Sequence, residues 1–99
     1  MNKLRNVIDV VEFCKERELP ARLVGRWVWI EFPDKPGEDI RQALKETGFR
    51  WNRKRLAWQH NCGHYTRAAK GYDPRDKYGA VNIERVTTRK WYQSEMLLG

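Results

Sequence analysis

The chain has 99 residues, a length that suits one compact domain. Its 40% hydrophobic and 12% aromatic content, with five tryptophans, argues against a disordered polypeptide, which is typically poor in aromatic residues. No apolar run approaches the roughly 20 residues that cross a bilayer, and no signal-peptide pattern opens the chain. We therefore expect a cytoplasmic protein with no membrane partner.

The charge balance favours a polyanionic partner. Twenty Lys and Arg residues against thirteen Asp and Glu give a formal net charge of +7. Such a balance biases encounters toward phosphate backbones, although a basic surface can also serve solubility alone. The two cysteines, Cys14 and Cys62, are expected to be free thiols because nothing indicates an oxidising compartment.

The first predicted elements are a helix and a β-hairpin. Apolar residues recur at helical spacing over residues 6–17, Asn6 can cap the first turn, and Pro20 disfavours a longer helix. A hairpin of residues 21–24 with residues 27–32 follows, because Gly25-Arg26 fits the Gly-X pair of a type II′ turn. One continuous strand is the alternative.

In that hairpin Leu23 faces Val28 and Ala21 faces Ile30, which makes one face of the sheet apolar. Trp27 and Trp29 lie on the opposite face. Either the C-terminal segment covers these two indoles or they form an exposed platform for a ligand, and the sequence leaves both readings open.

A second helix is predicted over residues 38–47. Gly48 supplies the left-handed residue that ends it, and Phe49 falls where a Schellman motif packs an apolar side chain onto Leu44. A second hairpin then covers residues 49–58 around a four-residue loop centred on Arg53-Lys54. This register pairs Phe49 with Trp58 and Trp51 with Leu56, so it predicts that the three aromatic residues pack in the core.

The remaining third of the chain has weaker patterns. Asn61 can cap a short helix that closes at Gly71, while Asp73-Pro74 and Gly79 are typical of loops. Val81 and Ile83 alternate as in a strand, and the tail after about residue 87 is expected to be loosely ordered.

The second hairpin carries the strongest functional pattern. Arg50, Arg53, Lys54 and Arg55 lie on it, beside recurring aromatic residues. Such cations can neutralise phosphates, and aromatic faces can stack on unpaired bases. Solvation of a turn is the plainer explanation for the charges, but four cations on one hairpin exceed what solubility requires. The residues predicted to bind nucleic acid are Arg26, Trp27, Trp29, Arg50, Arg53, Lys54 and Arg55.

No catalytic residue, metal site or cofactor is predicted. His60, Cys62 and His64 lie within five residues, but a structural zinc site normally needs four ligands, and the remaining Cys14 lies on an apolar helix face. Asp73 and Asp76 flank a proline in a turn, whereas a nuclease would place its carboxylates on rigid elements.

The segment from Ile40 to Trp51, with Leu44-Lys45-Glu46-Thr47-Gly48-Phe49-Arg50-Trp51 at its end and a hairpin closing on Trp58, resembles a small module of bacterial plasmid and phage proteins. It is also similar, more distantly, to the HARP-type domain of annealing helicases. The resemblance covers roughly residues 38–60. It implies a helix–hairpin unit and an association with DNA, and it assigns no catalytic residue.

Together these patterns predict a single α+β domain, with an antiparallel sheet of two hairpins and helices packed on one face. The predicted function is non-enzymatic binding of nucleic acid, DNA in the first place, with little sequence preference, within a mobile element. A basic adaptor that docks on an acidic protein is the alternative, and a metal-dependent nuclease is the third.

Overall fold

A computed structural model describes residues 3–65 and 70–86, and the strands in these ranges form one five-stranded antiparallel sheet. In chain order the elements are α1 (Val7–Glu16), β1 (Ala21–Val24), β2 (Trp27–Ile30), α2 (Glu38–Thr47), β3 (Arg50–Asn52), β4 (Ala57–His60), α3 (Pro74–Tyr78), β5 (Val81–Asn82) and a 3-10 turn (Ile83–Arg85). The strand order across the sheet is β3-β4-β2-β1-β5. The predicted α+β class is confirmed.

The first half of the chain follows its local signals. The Asn6 side chain caps α1 by accepting a hydrogen bond from the Asp9 backbone N–H at 2.9 Å. Strands β1 and β2 pair in the predicted register. Gly25 has a φ of +61° and Arg26 has no positive φ, as a type II′ turn requires.

Helix α2 ends in the predicted Schellman motif. Gly48 has a φ of +107°, the Phe49 N–H donates to the Leu44 carbonyl at 2.9 Å, and the Gly48 N–H donates to the Lys45 carbonyl at 3.2 Å. Phe49 and Leu44 are both buried in the main core. This cap turns the chain directly into β3.

The predicted register of the second hairpin is wrong. Trp51 pairs with Trp58, and Asn52 pairs with Ala57, so residues 53–56 form the loop. The Asn52 side-chain oxygen accepts a hydrogen bond from the Arg55 N–H at 2.9 Å, which stabilises the loop one residue later than expected. Leu56 therefore leaves the core face and adopts a left-handed conformation with a φ of +55°.

Two apolar layers flank the sheet. The larger one lies between the sheet and the helices α1 and α2, which pack on one face as predicted. The smaller one lies on the other face and contains Val24, Trp29 and Ala57. The short helix α3 contacts β1 on this second side, with the Tyr78 ring 3.3 Å from the position of a Cβ on Gly25.

Helix α3 was not predicted. The Asp73-Pro74 pair, which we interpreted as a loop, starts this helix: the Asp73 carboxylate accepts from the Arg75 N–H at 2.8 Å, and Pro74 occupies the first turn. Residues 61–65 form a turn, and the rest of the helix predicted from Asn61 falls largely outside the described ranges, as does the tail after residue 86.

Candidate nucleic-acid interface

The predicted binding residues lie at opposite ends of the sheet. Arg26 lies in the turn between β1 and β2, and Trp27 is the first residue of β2. Strand β4 runs antiparallel to β2 and pairs Trp58 with Ile30, so the loop of residues 53–56 lies at the far end of β2 from that turn. The seven residues therefore do not converge on one surface.

Trp29 is not available to a ligand. It is only 2% exposed, and the Arg75 guanidinium lies 5.1 Å from its ring centroid. Trp27 is half-buried, and its indole Nε1 donates to the His64 carbonyl at 2.7 Å. Trp29 is therefore covered by the later segment that contains Arg75, and it does not form an exposed platform.

A network of ion pairs holds α3 against this face. Arg75 pairs with Asp73 at 2.7 Å and with Glu31 at 3.3 Å, and Glu31 also pairs with Arg22. The hydrogen bond from Arg75 lowers the pKa of Asp73 to about 2. Partial burial opposes ionisation of Glu31, but its hydrogen bonds to Arg22 and Arg75 lower its pKa overall. Both carboxylates are thus held ionised by arginines.

Arg55 belongs to the same network and not to the solvated loop. Its guanidinium lies 3.5 Å from the Asp73 carboxylate and donates to the Tyr72 carbonyl at 2.7 Å. The Arg55 side chain is only 15% exposed. Of the four hairpin cations predicted to bind nucleic acid, Arg55 is therefore engaged within the protein. Asp73, one of the two carboxylates considered for a nuclease site, forms ion pairs with Arg55 and Arg75.

Four of the five predicted cations remain exposed: Arg50, Arg53 and Lys54 on the second hairpin, and Arg26 at the turn between β1 and β2. None of them forms an ion pair with any residue in the described ranges. Arg53 and Lys54 lie in the loop, while Arg50 lies on the edge strand β3 and points to the face opposite to Trp51, because successive side chains of a strand alternate.

Trp51 is an exposed residue and not the predicted core residue. It is 50% exposed, whereas Trp58, its partner across the hairpin, is 6% exposed. The two ring centroids are 5.8 Å apart with a tilt of 57°. Phe49 and Trp58 do pack in the core as expected. Trp51 differs because β3 is the edge strand, so only one neighbouring strand flanks it.

Beside Trp51 lies an open groove of about 530 Å³. It is bounded by the β3–β4 hairpin, by helix α2 and by the connector before that helix. The apolar residues that line it are Phe32, Pro33, Pro36, Trp51, Leu56 and Trp58. The charged residues that line it are Asp34, Lys35, Arg41 and Lys45. Three cations thus face one carboxylate around an aromatic wall, and we call this feature the Trp51 groove.

Arg41 has an unusual environment within this groove. Its Nε is shielded from solvent and has no hydrogen-bond partner in the part of the chain that the structure describes. Arg41 and Lys45 are four residues apart, so they lie on the same side of α2. Neither residue was predicted from the sequence as a binding residue, although two cations four residues apart at the end of α2 were a usable signal.

His60 has a structural role. Its Nε2 donates to the Thr47 carbonyl at 2.8 Å, and its Nδ1 accepts from the Cys62 N–H at 2.9 Å. Burial lowers the pKa of His60 and raises the pKa of Cys62 to about 11 and that of Cys14 to about 12. Both imidazole nitrogens are engaged, and residues 3–65 and 70–86 contain no group of three His, Cys, Asp or Glu side chains suited to a metal ion.

Comparison with models of protein families, with curated proteins and with solved structures finds no significant match. The resemblance to plasmid, phage and HARP-type domains therefore stays a prediction. No helix in the described ranges is long and apolar enough to cross a membrane.

Proposed function

We propose that this domain binds nucleic acid without catalysing a reaction, and that DNA is the first ligand to test. The observation that carries the proposal is the exposed Trp51 indole beside Arg53 and Lys54, which have no acidic partner among the described residues. Cations of this kind bind phosphates, and an exposed indole can bind a base. We call Trp51, Arg53 and Lys54 the hairpin surface.

The distribution of paired and unpaired charge supports this location. Arg22, Arg55 and Arg75 are paired with Glu31 and Asp73 on the second face of the sheet, a network with one net positive charge. Most of the net charge of +7 is therefore carried by other cations, several of which border the hairpin surface and the Trp51 groove. Phosphate contacts carry no base information, so we expect little sequence preference.

The test compares two variants with the same loss of charge. Arg53→Gln/Lys54→Gln removes two cations of the hairpin surface. Arg5→Gln/Arg85→Gln removes two exposed cations outside the second hairpin, one before α1 and one in the 3-10 turn after β5, the other edge strand. Each protein is titrated into labelled single-stranded DNA, duplex DNA and RNA at two salt concentrations, and binding is followed by fluorescence anisotropy.

We expect the Arg53→Gln/Lys54→Gln variant to lose affinity on every sequence. Its log–log salt slope should become shallower by about 0.7–0.9 for each lost contact. The control variant should retain the parent slope. An equal loss in both variants would contradict the hairpin surface, because it would reflect only net charge. A parent that binds no nucleic acid at low salt, but binds an acidic peptide, would replace this proposal with the adaptor.

A further inference from the structure

We infer that the Trp51 groove holds an unpaired nucleobase, so that the preferred ligand is a single strand. This inference rests on the proposed function and specifies its ligand. Half of the Trp51 surface is exposed at the wall of a groove of about 530 Å³. A base of a single strand can lie against such an indole, whereas bases in a duplex are already stacked on their neighbours.

The charges around the groove suit a phosphodiester strand. Lys35, Arg41 and Lys45 line it, and Asp34 is the one carboxylate among its lining residues. The shielded Nε of Arg41 lacks an acceptor in the described ranges, and a buried donor without a partner is unfavourable. A ligand in the groove reaches this Nε only if the Arg41 side chain moves, because the atom has almost no exposed surface.

The groove is also continuous with the hairpin surface. Trp51 belongs to both, and Leu56, which lines the groove and is 67% exposed, lies in the same four-residue loop as Arg53 and Lys54. A strand with one base against Trp51 can therefore place neighbouring phosphates near Arg53 and Lys54. The carboxylates of an acidic peptide would pair with the cations, but they would not stack on the flat face of the indole. The combination favours nucleic acid.

The experiment separates base binding from phosphate binding. Three labelled probes of equal length are compared by fluorescence anisotropy: an oligothymidine of about ten nucleotides, a chain of abasic sites with the same number of phosphates, and a duplex. The variants are Trp51→Ala, the conservative Trp51→Phe, and Tyr65→Ala as the control. Tyr65 is 85% exposed and lies next to His64, at the opposite end of the sheet from the groove.

We expect the parent to prefer oligothymidine over the abasic chain. Trp51→Ala should weaken oligothymidine binding by about 5- to 150-fold and leave abasic binding unchanged. Trp51→Phe should retain most of the affinity, and Tyr65→Ala should match the parent. Photo-cross-linking of the parent to an oligonucleotide containing iodouracil gives a second measurement that needs no variant, and mass spectrometry should place the cross-link at Trp51 or Trp58.

The outcomes distinguish this inference from the proposed function. If all three probes bind equally and Trp51→Ala has no effect, while Arg53→Gln/Lys54→Gln weakens binding, the domain binds phosphates and the base site is wrong. A cross-link confined to Tyr65, Tyr72 or Tyr78 would also overturn the base site. If no probe binds to the parent at low salt, the proposed function fails together with the inference.

Discussion

Replacement of Gly48 should destabilise the domain more than the loss of a helix cap alone. Gly48 joins α2 to β3 and so directs the strand that carries Arg50 and Trp51. Its φ is +107°, which costs an L-residue about 1–2 kcal/mol. A Cβ at this position would also lie 2.8 Å from Nε2 of His60.

The contact with His60 adds a second cost. To avoid the new methyl group, the imidazole must move away from the Thr47 carbonyl, to which it donates at 2.8 Å. Leaving this buried N–H unpaired costs about 1–3 kcal/mol. We therefore expect Gly48→Ala to lower the free energy of unfolding by about 2–5 kcal/mol, a large fraction of the stability of a small domain.

Gly48→Asn reduces the first cost and keeps the second. Asn adopts the left-handed conformation more readily than Ala, although the φ of +107° lies beyond the usual left-handed value of about +57°. Here its Cβ meets the same imidazole nitrogen, and we expect Gly48→Asn to remain destabilised by about 1–3 kcal/mol. Urea denaturation followed by circular dichroism measures both variants. Parent-like stability of Gly48→Asn would refute the steric contact between residue 48 and His60.

Three further predictions concern stability. Burial lowers the pKa of His60 from its ordinary value of 6.5, so the unfolded chain takes up a proton that the folded chain resists. The free energy of unfolding, measured by urea denaturation, should fall as the pH drops below about 6.5, and His60→Gln should abolish this pH dependence. An unchanged pH dependence in the variant would show that another group causes it. Arg55→Gln should cost about 1.5–3 kcal/mol because it breaks the charged hydrogen bond to the Tyr72 carbonyl and the ion pair with Asp73, whereas Arg53→Gln should cost about 0–1 kcal/mol. Equal costs would contradict the role given to Arg55. Trp58→Ala should cost about 3–5 kcal/mol, and Trp51→Ala should cost much less in the same assay; the reverse order would restore Trp51 to the core.

Three features that depend on local chemistry were predicted correctly from the sequence. The Asn6 cap, the Gly25-Arg26 turn and the Gly48-Phe49 Schellman motif each depend on a few adjacent residues. The Asp73-Pro74 start of α3 has an equally local cause, since the carboxylate caps the helix and proline suits its first turn. We missed it because the same pair is also common in turns, and the helix is only five residues long.

The second hairpin shows where local reasoning stops. Both registers keep Trp51 on the same face as Trp58, so alternation alone cannot choose between them. In the observed register the Arg55 N–H donates to the Asn52 side chain, and Trp58 pairs with Ile30 of the neighbouring strand. That choice moved Leu56 from a predicted core position to the exposed loop.

The sequence by itself determined the α+β class, the pairing of the first hairpin and the excess of positive charge, because these follow from periodicity, turn chemistry and composition. Only the tertiary structure decided which tryptophans are accessible and which cations are free. Trp29 is buried because a segment more than forty residues later in the chain places Arg75 over its ring, and Arg55 is neutralised by Asp73 from the same segment. Such contacts join residues that are distant in sequence. The type of a side chain does not indicate whether the fold will bring a partner next to it, so exposure and pairing follow only from the tertiary structure.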